Sequence, residues 1–158
     1  MPSLMPGIPG AKEAYGISII QENCKIKIPP KACKRYGIHK NDLALLITGR
    51  KQESGFGLIK KKTAVNTVFK KYLEQLYNPN DIFINNGQSF ALVKIIDYYI
   101  EMTPEILKAF YLNTSNKLIS IKSTTVTIGF NLLEVWIDKM KKHGFNEAIK
   151  NTSKLEIF

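Results

Sequence analysis

The sequence predicts an α+β protein: a unit of short paired strands, then a helix, then a small α+β C-terminal domain. Three observations carry this. Residues 17–62 alternate short β-branched runs with turns, residues 63–77 carry apolar side chains at helical spacing, and residues 81–158 mix strand-like and helix-like stretches. The implied division is a flexible tail over 1–14, a β-ribbon unit over 15–62, a helix and linker over 63–80, and a regulatory or oligomerisation domain over 81–158. A chain of 158 residues, 44% hydrophobic and 23% charged, has the composition of a globular protein.

Met1 to Ala14 contains three prolines and two glycines without periodicity, as a tail would. Ile17 to Ile20 reads as a strand. Gln21 to Cys24 would connect it to a second strand, Lys25 to Ile28, whose period of two sends Ile26 and Ile28 inward and Lys25 and Lys27 outward. Pro29-Pro30 ends that strand and can open a helix. Lys31 to Tyr36 is then a short helix with Gly37 as its stop, Ile38 returns to the core, and His39 to Asp42 is a turn. Leu43 to Ile47 is apolar without a break, as in a strand buried on both faces. Gly49 to Gly55 is a polar loop, and Phe56 to Ile59 is the last strand before Lys60-Lys61-Lys62.

Four short strands bury too little surface to stand alone, so this unit calls for a second copy; an obligate two-fold homodimer is the simplest supply. Cys24-Lys25-Ile26-Lys27-Ile28-Pro29, followed by Tyr36-Gly37-Ile38, then Asn41-Asp42 and an apolar strand, resembles the AbrB/SpoVT/MazE swapped-hairpin DNA-binding domain over residues 17–62. The resemblance implies a dimeric swapped-hairpin β-barrel and transcription regulation through double-stranded DNA. Where the family usually has Gly-Arg this chain has Cys24-Lys25, and the family's basic helix pair falls on Cys33 and Lys34, with Arg35 beside it. Charge is kept, while bidentate base reading by arginine is weakened.

Thr63 to Tyr77 repeats apolar residues at helical spacing (Val65, Val68, Phe69, Tyr72, Leu73, Leu76 and Tyr77), and Asn78-Pro79 ends it. Ile82 to Phe90 is a hairpin about Asn86-Gly87. Leu92 to Ile100 fits a helix better than a strand. Thr103-Pro104-Glu105 starts a helix running to Leu112. Leu118 to Phe130 reads as one or two strands, Leu132 to His143 as an amphipathic helix stopped by Gly144, Phe145 to Lys150 as a short helix, and Leu155 to Phe158 as a closing strand. No internal repeat is evident.

Charge is unevenly placed. Residues 1–62 hold 12 Lys+Arg against 4 Asp+Glu, whereas residues 63–158 hold 11 against 9. A genome-wide lysine bias would act on both halves, so the asymmetry favours a polyanionic partner. Candidate DNA contacts are Lys25, Lys27, Lys31, Lys34, Arg35 and Arg50. The other expected partners are the protein itself, as homodimer or tetramer, and a small-molecule or protein effector at residues 81–158. The alternative is an antitoxin-like or protein-interaction module whose C-terminal half binds a partner protein. No membrane span or leader is evident, which suggests a cytoplasmic protein.

No cofactor and no catalytic constellation is indicated. Cys24, Cys33 and His39 match no zinc spacing, and two cysteines make no disulfide framework. Lys25 and Lys34 beside the cysteines would lower a thiolate pKa, which admits a thiol sensor. His39 and His143 read as surface residues without an organised nucleophile, and Glu134 and Asp138 as a solvated helix face.

Overall fold

The computed structural model describes residues 13–48 and 55–158. Its order is β1 (Ala14–Ile19), β2 (Lys25–Lys27), α1 (Pro30–Tyr36), β3 (Leu43–Ile47), β4 (Gly55–Lys60), α2 (Lys61–Ala64), α3 (Lys70–Leu73), β5 (Ile82–Asn85), β6 (Gln88–Ile96), β7 (Tyr99–Glu101), α4 (Pro104–Ala109), β8 (Lys117–Lys122), β9 (Ile128–Leu132), α5 (Leu133–Lys142) and α6 (Asn146–Thr152). Nine antiparallel strands make one sheet in the order β1-β8-β9-β4-β3-β6-β7-β2, with β5 added on β6. The sheet curls until its ends nearly meet, where Ser18 Oγ donates to Lys27 O at 2.6 Å and Gln21 N to Lys25 O at 3.0 Å. The class is α+β around an almost closed barrel. Residues 1–12 of the tail expected over 1–14, and the loop carrying Arg50, lie outside the described residues, whereas Ala14 is buried in β1 and is no part of a tail.

The strand pairing contains a repeat that the sequence does not show. Residues 14–60 run β1-β2-α1-β3-β4, and residues 88–132 run through the same order as β6-β7-α4-β8-β9. Equivalent positions share backbone devices. Pro30 and Pro104 open the two helices, and Gly37 (φ 63°) and Tyr111 (φ 58°) turn the chain out of them. Ile38 N donates to Cys33 O at 2.9 Å, and Leu112 N to Leu107 O at 2.8 Å. His39 N donates to Asp42 Oδ2, and Asn113 N to Asn116 Oδ1, both at 2.7 Å.

Pairing obeys an approximate two-fold relation: β1 with β8 mirrors β3 with β6, while β2 pairs with its counterpart β7 and β4 with its counterpart β9. Between 24–47 and 98–121 the two halves are identical only at Ile26/Ile100, Pro30/Pro104, Lys34/Lys108 and Ile47/Ile121. That is too little for sequence self-similarity to register.

This arrangement changes several readings. The two stretches divided at residues 63–80 share one sheet. β1 and β2 approach at the seam, but their ladders are with β8 and β7 rather than with each other. Leu43 to Ile47 is indeed covered on both faces, and the cover comes from the same chain. Ala44 and Leu46 face the barrel interior with Ile26, Val93 and Phe130, while Leu45 faces Ile59, Leu73, Leu76 and Phe90 outside it. The second copy sought by the sequence argument is supplied by residues 88–132.

The predicted helix over 63–77 is two short helices. Thr67 Oγ1 donates to Ala64 O at 2.7 Å and accepts from Phe69 N at 3.1 Å, which diverts the helical ladder. Its inward residues cover β3, β4 and β6, whereas Val65, Val68 and Tyr77 are exposed. Leu92 to Ile100, expected as a helix, is instead strand β6 and the turn into β7. Phe90 and Leu92 are buried outside the barrel, and Ala91, Val93 and Ile95 inside it. A strand covered on both faces loses its period of two and imitates a helix.

Other expectations hold. Asn86 (φ 51°) and Gly87 (φ 78°) turn the β5–β6 hairpin, and Thr103 Oγ1 accepts from Ile106 N at the start of α4. α5 and α6 pack Trp136, Met140 and Ala148 over Ala14, Ile119 and Ile121. The closing strand is a single parallel bridge, Ile17 to Ile157. Ile19 N donates to Phe158 O beside it.

Candidate nucleic-acid interface

α1 is short because Pro29-Pro30 sets its start and Gly37 its end. It buries Ala32 and Cys33 and exposes Lys31, Lys34 and Arg35. Those three occupy positions i, i+3 and i+4, so they share one side of the helix. Lys34 and Arg35 also lie in the last turn, where cations oppose the negative end of the helix dipole. Lys60, at the end of β4, donates from Nζ to Gly37 O at 2.9 Å. This contact brings the helix end and the β4–α2 junction together. Exposed Lys61 and Lys62 follow directly. Arg35 and Lys60 line one cleft, so segments 31–35 and 60–62, distant in sequence, adjoin at the end of α1.

The remaining candidates are differently placed. Lys25 and Lys27 lie on the outer face of β2, while Ile26 and Ile28 are fully buried beneath. Lys25 Nζ is 3.4 Å from Glu101 Oε1, directly across the β2–β7 ladder, so its charge is already matched. Lys27 Nζ lies 5.5 Å from the Phe158 ring centroid and 5.9 Å from that of Tyr99, held by aromatic faces. Arg35 Nε is 3.7 Å from Glu13 Oε2, which also accepts from Tyr15 OH at 3.2 Å. Tyr36 OH donates to Thr124 O at 2.9 Å, anchoring the same helix to the β8–β9 turn. Burial pushes the Tyr15 and Tyr36 hydroxyls up from their ordinary range, so both stay protonated as donors.

Lys31, Lys34 and Arg35 are thus brought together, Lys27 lines a cleft beside Lys34, and Lys25 and Arg35 each face a carboxylate, Glu101 and Glu13. Sequence reasoning missed the contribution of Lys60, Lys61 and Lys62, although a lysine triplet at a strand end was visible. The second half does not repeat the charge: the positions of Lys25, Lys27 and Lys31 are occupied by Tyr99, Glu101 and Glu105.

The Cys33 thiol is not activated as neighbouring Lys34 suggested. Cys33 is buried with Sγ 3.8 Å from Ile28 O. Burial pushes its pKa up to about 11 against a smaller lowering by its own backbone and Lys27. Among the described residues no cluster of His, Cys, Asp and Glu is arranged to hold a metal, and no helix is long and apolar enough to cross a membrane. Comparison with known protein families, with curated proteins and with solved structures finds no match.

Proposed function

We propose that this protein binds double-stranded DNA, as a regulator of the swapped-hairpin type, through the cationic surface formed by α1 and the β4–α2 junction. The observation that carries the reading is the Lys60 Nζ to Gly37 O contact, which sets the end of the helix carrying Lys31, Lys34 and Arg35 against the junction that continues into Lys61 and Lys62. Such a surface neutralises phosphates along one side of a duplex. Lysine predominates, so phosphate positioning outweighs bidentate base reading.

The two-fold pairing of the halves supports the resemblance in a revised form. A single chain supplies the paired hairpins for which a homodimer was expected, so self-association becomes an additional layer rather than a condition for the barrel. Divergence of the second half towards Tyr99, Glu101 and Glu105 makes the DNA face one-sided.

The test is binding to a pool of duplex DNA across a salt series, with sedimentation reporting the oligomeric state. The comparison is a variant with Lys31, Lys34, Arg35, Lys61 and Lys62 changed to Gln. A steep loss of affinity with salt, flattened in the variant, is expected. A folded protein that ignores duplex DNA at low salt would end this reading.

A further inference from the structure

The approximate two-fold relation creates two equivalent clefts, each between the helix of one half and the turn of the other. In the first, of about 610 Å³, Cys33, Lys34 and His39 face Asp97 and Tyr98 of the β6–β7 turn, with Lys27 at the side. In the second, of about 710 Å³, Leu107, Lys108 and Asn113 face Glu22 and Cys24 of the turn before β2. The frames correspond through the main chain: Ile28 N donates to Tyr98 O at 2.9 Å, and Met102 N to Cys24 O at 3.3 Å. With the backbone alike, the difference in chemistry is informative. The first cleft has gained an aromatic ring at Tyr98 where the second has Cys24, an imidazole where the second has Asn113, and a lysine at the position equivalent to Glu101.

The turn that carries Tyr98 is costly for its side chains. Asp97 (φ 51°) and Tyr98 (φ 68°) are the two central residues between Ile96 and Tyr99, both left-handed. Asn-Gly suits such a turn, and this chain uses it at Asn86-Gly87. A tyrosine in the glycine position is disfavoured, and residues held so tend to gather at ligand sites. Tyr98 as a residue stays 40% exposed on the cleft that it lines.

We propose that the first cleft binds a nucleotide unit. The phosphate lies against Lys27, Lys34 and His39, the base stacks on Tyr98, and the Asp97 carboxylate accepts from a sugar hydroxyl or base amino group. The volume suits a ligand of that size. A free mononucleotide and the 5′-phosphorylated end of a strand offer the same chemistry. Lys34 is common to this cleft and the duplex surface, but Tyr98 has no part in that surface, so its substitution tests the cleft separately from duplex binding.

The test is calorimetric and NMR titration of the full chain with AMP, GMP, CMP and UMP. Adenosine and ribose 5-phosphate serve as half-ligands, and a short single strand is added with and without a 5′ phosphate. Tyr98→Gly, which suits the positive φ and should fold, and Lys27→Gln are compared. A nucleotide is expected to bind at least about tenfold more tightly than either half-ligand, with a loss of about tenfold in Tyr98→Gly, the lower end for base stacking on an aromatic side chain. Duplex affinity of Tyr98→Gly should match that of the unaltered protein. Binding only by the phosphorylated strand would identify a strand end as the source, and binding by mononucleotides the free ligand. Absence of binding by every probe at millimolar concentration would overturn the proposal. So would binding indifferent to both substitutions, or shifts confined to the cleft at Cys24 and Asn113.

Discussion

Ile26 and Ile100 lie opposite each other in the β2–β7 ladder, both with no exposed surface, and each is the other's counterpart in the repeat. The pair marks where the approximate two-fold axis crosses the sheet. The flanking Lys25–Glu101 and Lys27–Tyr99 pairs are related by that axis but differ in chemistry. Inside the barrel, equivalent positions such as Ile28 and Met102, Cys33 and Leu107, and Ile38 and Leu112 are buried and apolar in both halves, while the outer face differs in charge. Apolar packing constrains both halves alike; solvent-facing charge does not.

That symmetry makes the two isoleucines equal contributors. Ile26→Ala and Ile100→Ala should each lower stability by about 2–5 kcal/mol, and by similar amounts. The double variant should depart from additivity, because the side chains share one site. Urea denaturation of the three variants measures this. A loss below about 1 kcal/mol at either position would show that the ladder is not the centre of the core.

The helix exits provide a second matched pair. Gly37 and Tyr111 both hold a left-handed φ, and Tyr111 is 67% exposed, with little packing to lose. Tyr111→Gly should therefore raise stability by about 1 kcal/mol. Gly37→Ala should lower it by a similar amount, since a Cβ there would meet only Lys60 Nζ at an ordinary 3.5 Å. Thermal melts of the pair read the opposite signs. Destabilisation in both would mean that the Tyr111 ring carries packing of its own.

Much of the first half was legible in the sequence because its signals are local. Pro30 at a helix start, Gly37 at its end and the alternation about Ile26 each act within a few residues. The assembly was not legible, because it depends on pairings between residues far apart and on equivalences such as Gly37 with Tyr111 that side-chain identity conceals. Leu92 to Ile100 was misread for a related reason: cover on both faces removed the alternation that distinguishes strand from helix. The basic residues of α1 were found from charge and order. Their union with Lys60, Lys61 and Lys62 needed the contact at Gly37, and the meeting of Lys27, Lys34 and Tyr98 needed the fold of the whole chain.

Cys33 gives the fold a pH dependence whose sign is determined. Its thiol pKa rises from 9.0 to about 11 on folding, so between those values the unfolded chain has released a proton that the folded chain retains. The stabilisation is fully present below about pH 9 and is lost as pH rises towards 11. Cys33→Ala should flatten this part of the stability profile relative to the unaltered protein, the tyrosine contributions being common to both. Alkylation at pH 8 should also be slower than that of an unhindered thiol by at least about 100-fold. Rapid labelling of Cys33 in the folded protein would contradict the burial.

The two kinds of lysine on the cationic half should respond differently to removal. Lys61 and Lys62 are exposed on α2 and available to phosphates, whereas Lys25 already faces Glu101 at 3.4 Å and would have to exchange that partner. Each of Lys61→Gln and Lys62→Gln should reduce the slope of log affinity against log salt by about 0.9 for duplex DNA, the release expected for one phosphate contact. Lys25→Gln should leave the slope within about 0.3 of the unaltered value, since a matched surface charge displaces few counterions. Fluorescence anisotropy with a labelled duplex at several salt concentrations measures all three. A larger change in slope for Lys25→Gln than for the α2 lysines would move the interface from the α1–α2 surface to the β2 ribbon, the arrangement that the family resemblance favoured and that Glu101 opposes.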